Sequence, residues 1–350
     1  MTNNKFEKQS FDNGLSVNIF PKGEKLYQKD FKELFGYKKW NNYQRLWKKI
    51  SALKMMLAYP LHLEIELNNS CNLKCPMCPV SSNLKHKIRS ITFKDYKKII
   101  DEAAKIGTQS IRLTYLNEPL IRRDLNQFIQ YAIKKNIIDI IITTNGVLLN
   151  EKRSLELIES GLTKINISID AANENTYKIV RPGSNFNKVV RNVINFIKIR
   201  NSMGKKIPKV RVTFILSNTN IKEYKTFVNF WKDKADSIGV QEIQNSFDLK
   251  KPINGVRKKI TDITKMNSRY KKFMCSEPFK RLTLRSNGDV LPCCSFYAPR
   301  GLKIGNWKNE SLLSLWNSKK MINLREIHKL GEYHKNKVCL NCVVSVENLS

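Results

Sequence analysis

The chain reads as an α/β protein in which a helix follows a strand through six successive units, with a small cysteine-bearing α+β unit appended. Three observations predict this. Short β-branched runs alternate with stretches of helical period between residues 63 and about 244. Polar motifs recur just after successive strand-like runs. Five of the eight cysteines gather beyond residue 274.

Strands are expected over Leu63–Leu67, Ser110–Thr114, Ile138–Thr143, Lys164–Ile169, Val210–Leu216 and Ser237–Ile243. Helices are expected between them over Phe93–Ile106, Leu125–Lys135, Lys152–Ser160, Lys188–Arg200 and Lys222–Ala235. Repeated βα units make parallel strands with right-handed crossovers. Eight units would close a full barrel, with the chemistry at the carboxyl ends of the strands. Residues 246–274 are polar and basic, contain Pro252 and Gly255, and read as a linker. Beyond it, Asn287-Gly288 between apolar alternations signals a hairpin, and Leu312–Lys329 reads as one helix. The expected units are thus a basic helical extension (1–60), the βα unit (61–245), the linker (246–274) and the cysteine-bearing unit (275–350).

In the extension, Trp40, Tyr43, Trp47 and Ile50 fall at helical spacing among Lys38, Lys39, Arg45, Lys48 and Lys49. Such a stripe caps the bottom or side of a neighbouring fold, or it lies on an anionic membrane surface.

At 350 residues and 41% hydrophobic, the chain is large enough for a sizeable core. It lacks the ~20-residue apolar run of a membrane span. Its polar start resembles no secretory signal, so the eight cysteines suggest metal or redox chemistry in a reducing cytoplasm rather than disulfides. The net charge of +33 is spread along the whole chain. Diffuse charge is a solvated surface, with no nucleic acid expected, and it also suits an acidic electron-donor protein.

Cys71-Asn72-Leu73-Lys74-Cys75-Pro76-Met77-Cys78 follows the first expected strand. Three thiolates are one short of a tetrahedral zinc site or a fully ligated [4Fe-4S] cube. The run admits zinc with a distant fourth ligand, plain buried thiols, or a cube with one iron open. The four histidines (His62, His86, His328, His334) all lie outside the run.

C-x₃-C-x₂-C after a first strand resembles the signature of the radical S-adenosylmethionine (SAM) enzymes. The resemblance implies an open, partial (β/α)₆ TIM-type barrel with Cys71, Cys75 and Cys78 holding a [4Fe-4S] cluster. In that family SAM chelates the open iron and is cleaved to methionine and a 5′-deoxyadenosyl radical. Further motifs follow successive strands. Leu116-Asn117-Glu118-Pro119 resembles the family's Gly-Glu-Pro segment, so Glu118 is expected to accept from the SAM amino group, with Asn117 in the glycine's place. Thr144-Asn145-Gly146 implies Asn145 near the cofactor. Ser168-Ile169-Asp170 resembles the place where a hydroxyl and a carboxylate meet the ribose and methionine. Arg181 matches an arginine that grips the SAM carboxylate in a fork, and Met77 stands where an aromatic residue often packs near the adenine.

The C-terminal unit resembles the SPASM/twitch extension of the same enzymes. Cys275, Cys293, Cys339 and Cys342 are then the ligands of one auxiliary [4Fe-4S] cluster, and adjacent Cys294 diverges from Cys293 in an extended strand. A structural zinc ribbon is the competing reading of these four.

The single-cluster pattern resembles aminocyclitol dehydrogenases. It implies a radical SAM oxidoreductase acting on a sugar-like or cyclitol alcohol, with the auxiliary cluster as electron acceptor and a flavodoxin or ferredoxin as donor. A peptide-modifying maturase is the alternative, and a zinc-stapled RNA-binding protein the remote one.

Overall fold

Alternate residues of the central strands separate two environments, and this builds the fold. In Lys164–Ser168 the isoleucines are buried against helices, whereas Lys164, Asn166 and Ser168 are half-buried on the other face. A parallel sheet with helices on one side and polar residues on the other is an open barrel seen in section. The computed structural model describes residues 16–82, 87–242 and 273–347.

In chain order the elements are β1 Ser16–Ile19, α1 Glu24–Phe35, α2 Tyr37–Ser51, β2 His62–Ile65, α3 Phe93–Ile106, β3 Ser110–Arg112, α4 Leu125–Lys134 and β4 Asp139–Thr144. There follow α5 Glu151–Glu159, β5 Lys164–Ser168, α6 Glu174–Val180, α7 Phe186–Ser202, β6 Lys209–Leu216, α8 Tyr224–Trp231 and β7 Ser237–Glu242. The C-terminal unit adds α9 Glu277–Lys280, β8 Arg281–Leu284, β9 Asp289–Leu291, β10 Gly305–Asn306, α10 Leu312–Trp316, α11 Lys319–Lys329 and α12 Lys337–Glu347.

Strands β2 to β7 lie side by side in sequence order, all parallel. Among the described residues the sheet has ten strands in the order β1-β7-β6-β5-β4-β3-β2-β8-β9-β10, so it stays open. The expected partial (β/α)₆ barrel followed by a small α+β unit is therefore the fold. Short polar side chains start the helices: Thr92, Asn150, Asn173 and Asn185 each accept a hydrogen bond from an amide in the first turn.

Several expectations need correction. The extension is not wholly helical, because β1 pairs antiparallel with β7 at the sheet edge. The apolar stripe of α2 is covered: Trp40, Tyr43 and Ile50 are buried with Phe31, Leu61, Ile138 and Phe279, and the Tyr43 hydroxyl donates to Asp139 (2.8 Å). This helix closes the barrel floor, and its apolar face is not free for a membrane. The expected helix Leu312–Lys329 is two, α10 and α11, because the Ser318 side chain accepts from Met321 N and starts a new one. Helix α6 was missing from the expectation. The linker lies outside the described residues, apart from Phe273 and Met274.

The C-terminal unit continues the barrel sheet. Strand β8 pairs parallel with β2, matching His62 to Arg281 and Ile65 to Leu284. The Asn-Gly hairpin forms between β8 and β9. Gly288 takes φ +100°, and a Cβ there would collide with the Asn306 side chain. Leu312 N donates to Glu102 on α3 (2.6 Å) and Trp316 Nε1 to Leu57 O (3.0 Å), so the unit is also bound to the barrel's outer helix and floor.

Candidate active site

The cysteine loop leaves the carboxyl end of β2. Cys75 is buried, and Cys71 and Cys78 are half-buried. Cys78 N donates to Cys75 O (3.0 Å) and Ser81 N to Cys78 O (3.1 Å), so the loop turns into a single helical turn at Pro79–Ser82. Side-chain donors approach two of the sulfurs: Asn145 Nδ2 stands 3.9 Å from Cys71 Sγ, and Arg181 Nη1 stands 3.7 Å from Cys75 Sγ. Burial pushes the Cys71 thiol up to about 11 and raises Cys75 and Cys78 as well. Metal binding at such thiols displaces protons that burial otherwise retains.

Glu118 ties the ends of β3 and β4 together. Its carboxylate accepts from Thr144 Oγ1 (2.6 Å), Asn145 N (2.8 Å) and Leu120 N (3.0 Å). Burial raises its pKa against the pull of these bonds. Glu118 N donates to Ser70 O (2.9 Å), and Asn145 Nδ2 donates to Asn72 Oδ1 (2.9 Å), so both loops grip the cysteine loop. Three of about four carboxylate acceptor positions are filled, leaving one for an outside donor. Asn117 fills its position with two side-chain bonds, accepting from Tyr115 N (2.8 Å) and donating to Asn68 Oδ1 (2.9 Å).

Asp170 and Arg181 form a buried ion pair. The other oxygen of Asp170 accepts from Ile215 N (2.8 Å), and the residue is 0% exposed. Asp170 therefore does not face open space; it holds Arg181. Its φ of 61° is left-handed, a region Asp tolerates. Burial opposes the Arg181 charge, but Asp170, Cys75 and Tyr177 together outweigh it and raise the pKa. Arg181 Nε is enclosed with no hydrogen-bond partner among the described residues. Ser168 is half-buried on the barrel's inner face, with Thr213 Oγ1 at 3.4 Å. Met77 packs against the barrel core.

The second group of cysteines comes from three places. Cys275 precedes α9, Cys293 follows β9, and Cys339 and Cys342 lie one turn apart on α12. Cys275 lies within electrostatic reach of Cys339 and Cys342, and Cys293 within reach of Cys275 and Cys342. Burial raises all four thiols, Cys339 to about 12. Ser295 Oγ lies 3.2 Å from Cys342 Sγ. Cys294 faces another way: its sulfur is 3.7 Å from Glu277 Oε2, beside Arg281. Leu291, Ala298, Leu302, Leu324, Tyr333 and Val343 pack around the group. Tyr115, three residues before Glu118, donates its hydroxyl to Ser295 O (2.8 Å) and so joins the two sites.

The family model of the radical SAM superfamily matches residues 65–230. That of the SPASM iron–sulfur cluster-binding domain matches residues 275–343. The chain belongs to the radical SAM superfamily.

A probable GTP 3′,8-cyclase of Methanocaldococcus jannaschii is 31% identical over 201 residues, 57% of this radical SAM chain and 64% of that protein. A GTP 3′,8-cyclase of Clostridium botulinum is 31% identical over 185 residues, 52% of this chain and 56% of that one. The chain thus spans between about half and two thirds of the length of these curated relatives. Among solved structures, Streptococcus suis SuiB bound to S-adenosylmethionine has a TM-score of 0.62 at 18% identity, covering 89% of this chain and 77% of its own. BtrN in complex with AdoMet and 2-DOIA has a TM-score of 0.51 at 20% identity, covering 82% and 94%. These likenesses show the fold.

The two domains of this radical SAM chain imply a SAM-binding [4Fe-4S] cluster and an auxiliary cluster, and the donors fit both. Three thiols beside a buried guanidinium that is held by Asp170 and keeps its Nε unpartnered among the described residues suit a cluster whose remaining ligand carries a carboxylate. Four thiols in an apolar shell suit a closed cluster. Among the described residues no three His, Cys, Asp or Glu are close enough to share one ion; a cube binds each thiolate at a different iron. Both cysteine groups fall within these two domains, so the zinc-stapled RNA-binding reading is dropped. Sequence reasoning gave no role to Thr144, Asn72, Tyr115 and Ser295; the first two lie inside the motifs that carry Asn145 and the cysteines, and all four act through the register of their loops.

Proposed function

We propose that this chain is a radical SAM oxidoreductase that dehydrogenates a sugar-like or cyclitol alcohol. When bound, the first cluster supplies the electron that cleaves SAM to the hydrogen-abstracting 5′-deoxyadenosyl radical. Cys71, Cys75 and Cys78 hold that cluster. Arg181, aligned by Asp170, grips the SAM carboxylate. Glu118 offers its remaining lone pair to the amino group while fixing Asn145 against the cysteine loop. Ser168 borders the ribose and Met77 the adenine. Cys275, Cys293, Cys339 and Cys342 hold a single auxiliary [4Fe-4S] cluster that receives the second electron of the alcohol's oxidation. An acidic flavodoxin or ferredoxin, drawn to the basic surface, is the donor.

The observation that carries this reading is the contrast between three thiols set among polar donors and four thiols set among apolar side chains. The chain's likeness to BtrN, solved in complex with AdoMet and 2-DOIA, supports a small-molecule substrate. A peptide substrate is the second reading, because SuiB bound to its precursor peptide SuiA has a TM-score of 0.60 with this chain.

The test is anaerobic reconstitution followed by dithionite and SAM. The expected result is 5′-deoxyadenosine and methionine from a protein holding about eight irons and eight sulfides. Failure to cleave SAM at full iron loading would overturn the reading.

A further inference from the structure

The inner face of the barrel carries a half-buried cation that makes no ion pair among the described residues. Arg211 is the third residue of β6, between Val210 and Val212, which are buried on the helix side. Its side chain therefore belongs to the inner face, level with Asn166 of β5. Nε and Nη2 of Arg211 are both enclosed and lack hydrogen-bond partners among the described residues. Its charged or titratable neighbours are Tyr27 and a second cation, Arg112. Burial, reinforced by Arg112, pushes the Arg211 guanidinium down to about 10. The nearby carboxylates are engaged elsewhere: Asp236 with Arg200 and Lys209, Asp139 with Lys164, and Asp30 with Lys209.

Arg112 of β3 repeats the pattern more weakly. Its Nη1 lies 3.4 Å from Glu64, which also faces Arg281 at 3.4 Å, and its Nε has no partner. One carboxylate thus serves two arginines. The Arg211 side chain lies over Gly239 of β7, where a Cβ would collide with Nε, Cζ and Nη2. Only a residue without a side chain leaves room for the guanidinium to lie there. Enclosed guanidinium N–H groups without acceptors are costly unless something outside the chain completes them.

Arg211 lies between the floor and the strand ends: Tyr27 of α1 is among its neighbours, and the strand ends lie further along β6. Gly239 is level with Thr213, and Thr213 with Ser168, in the sheet register. Arg211 lies two residues along β6 from Thr213, a rise of about 7 Å. A polyol held at the strand ends would present a substituent to Arg211 across one layer of side chains.

We propose that Arg211, supported by Arg112, forms an anion subsite inside the barrel that binds the phosphate or carboxylate of an anionic polyol substrate. The proposal rests on the oxidoreductase reading for the substrate, though not for the anion. The guanidinium supplies two enclosed N–H donors to two oxygens of one group, the geometry in which Arg surpasses Lys.

The experiment follows the thermal unfolding midpoint of the cluster-loaded protein, at matched ionic strength, in chloride, inorganic phosphate, myo-inositol and myo-inositol 1-phosphate. Wild type is expected to show a saturable rise of about 2–4 °C with phosphate, a larger one with inositol phosphate, and none with inositol. Arg211→Met should lose the rise, and without added anion its midpoint should equal or exceed wild type, because two enclosed donors without acceptors are gone. Gly239→Ala keeps the charge but displaces the guanidinium, and it should lose the rise as well. A phosphate shift that persists in both variants, or no saturable shift in wild type, overturns the subsite. Equal shifts for phosphate and inositol phosphate would assign the site to a free anion and overturn its role in substrate binding. Midpoints do not depend on SAM cleavage, so failure of the radical reading would appear separately as absent 5′-deoxyadenosine.

Discussion

The cysteines at the barrel mouth and those in the C-terminal unit differ in backbone, number and surroundings. At the mouth, three thiols lie on an irregular loop, with Arg181 at 3.7 Å from one sulfur and Asn145 at 3.9 Å from another. In the C-terminal unit, two of four thiols lie on a helix, Leu291, Leu302, Leu324 and Tyr333 enclose the group, and a serine hydroxyl is 3.2 Å from one sulfur. A loop among donors can admit a charged small molecule beside the metal. A helix and an apolar shell can hold a complete ligand set and move an electron with little reorganisation. Open chemistry on one side and closed electron transfer on the other is the division this predicts.

The largest expected effect comes from removing one side of the comparison. Cys71→Ala, Cys75→Ala and Cys78→Ala together should abolish SAM cleavage and leave about half the iron, because the other four thiols are untouched. Iron analysis with chromatography of 5′-deoxyadenosine checks this. Persistent cleavage would show that the mouth does not hold the reactive cluster.

Disabling the other side should separate two products. In Cys339→Ala, 5′-deoxyadenosine should still form while oxidised substrate falls at least tenfold; unchanged turnover would remove the electron-accepting role. Cys293→Ser and Cys294→Ser sharpen the point, since these neighbours face different groups. The first should lose auxiliary iron and the second retain it, read as iron per chain.

Much of this contrast was legible in sequence, for physical reasons. The β-branched runs at Ile138–Thr143 and Lys164–Ile169 can bury one face only in a sheet covered by helices, and the observed strands Asp139–Thr144 and Lys164–Ser168 follow them within a residue. Strand β1, Ser-Val-Asn-Ile, has too few apolar residues to announce itself and exists because β7 offers an edge. Ser318 looked like an interior helix residue, yet serine competes for backbone bonds and starts α11 instead. In the site, the motif residues were visible but not their division of labour. Asp170 read as a cofactor contact and is the partner of Arg181. Arg211 carries no motif at all, and only its two enclosed donors without partners among the described residues give it away.

That division of labour at the mouth makes the next prediction. Asp170→Asn keeps the shape and the bond from Ile215 N but withdraws the charge that aligns Arg181. The dissociation constant for SAM should rise about ten- to a hundredfold, measured by calorimetry on reconstituted protein with iron content as control. An unchanged constant would mean that Arg181 is not held for SAM.

The smallest effect tests the closed side. Ser295 Oγ accepts from Tyr297 N (3.2 Å), which leaves its proton for Cys342 Sγ. A hydrogen bond to a cluster sulfur favours the reduced, more negative state and so raises the potential. Ser295→Ala removes that donor, keeps all four thiols and leaves the Tyr115 bond to the 295 carbonyl in place. The auxiliary cluster's midpoint potential should fall by a few tens of millivolts, the electrical equivalent of roughly 1 kcal/mol for a one-electron couple. Redox titration followed by electron paramagnetic resonance would resolve the two clusters, and the mouth cluster should stay where it was. If the mouth signal moved instead, or both moved equally, the serine would not be acting on the closed group, and the two sites would not be as separate as their surroundings imply.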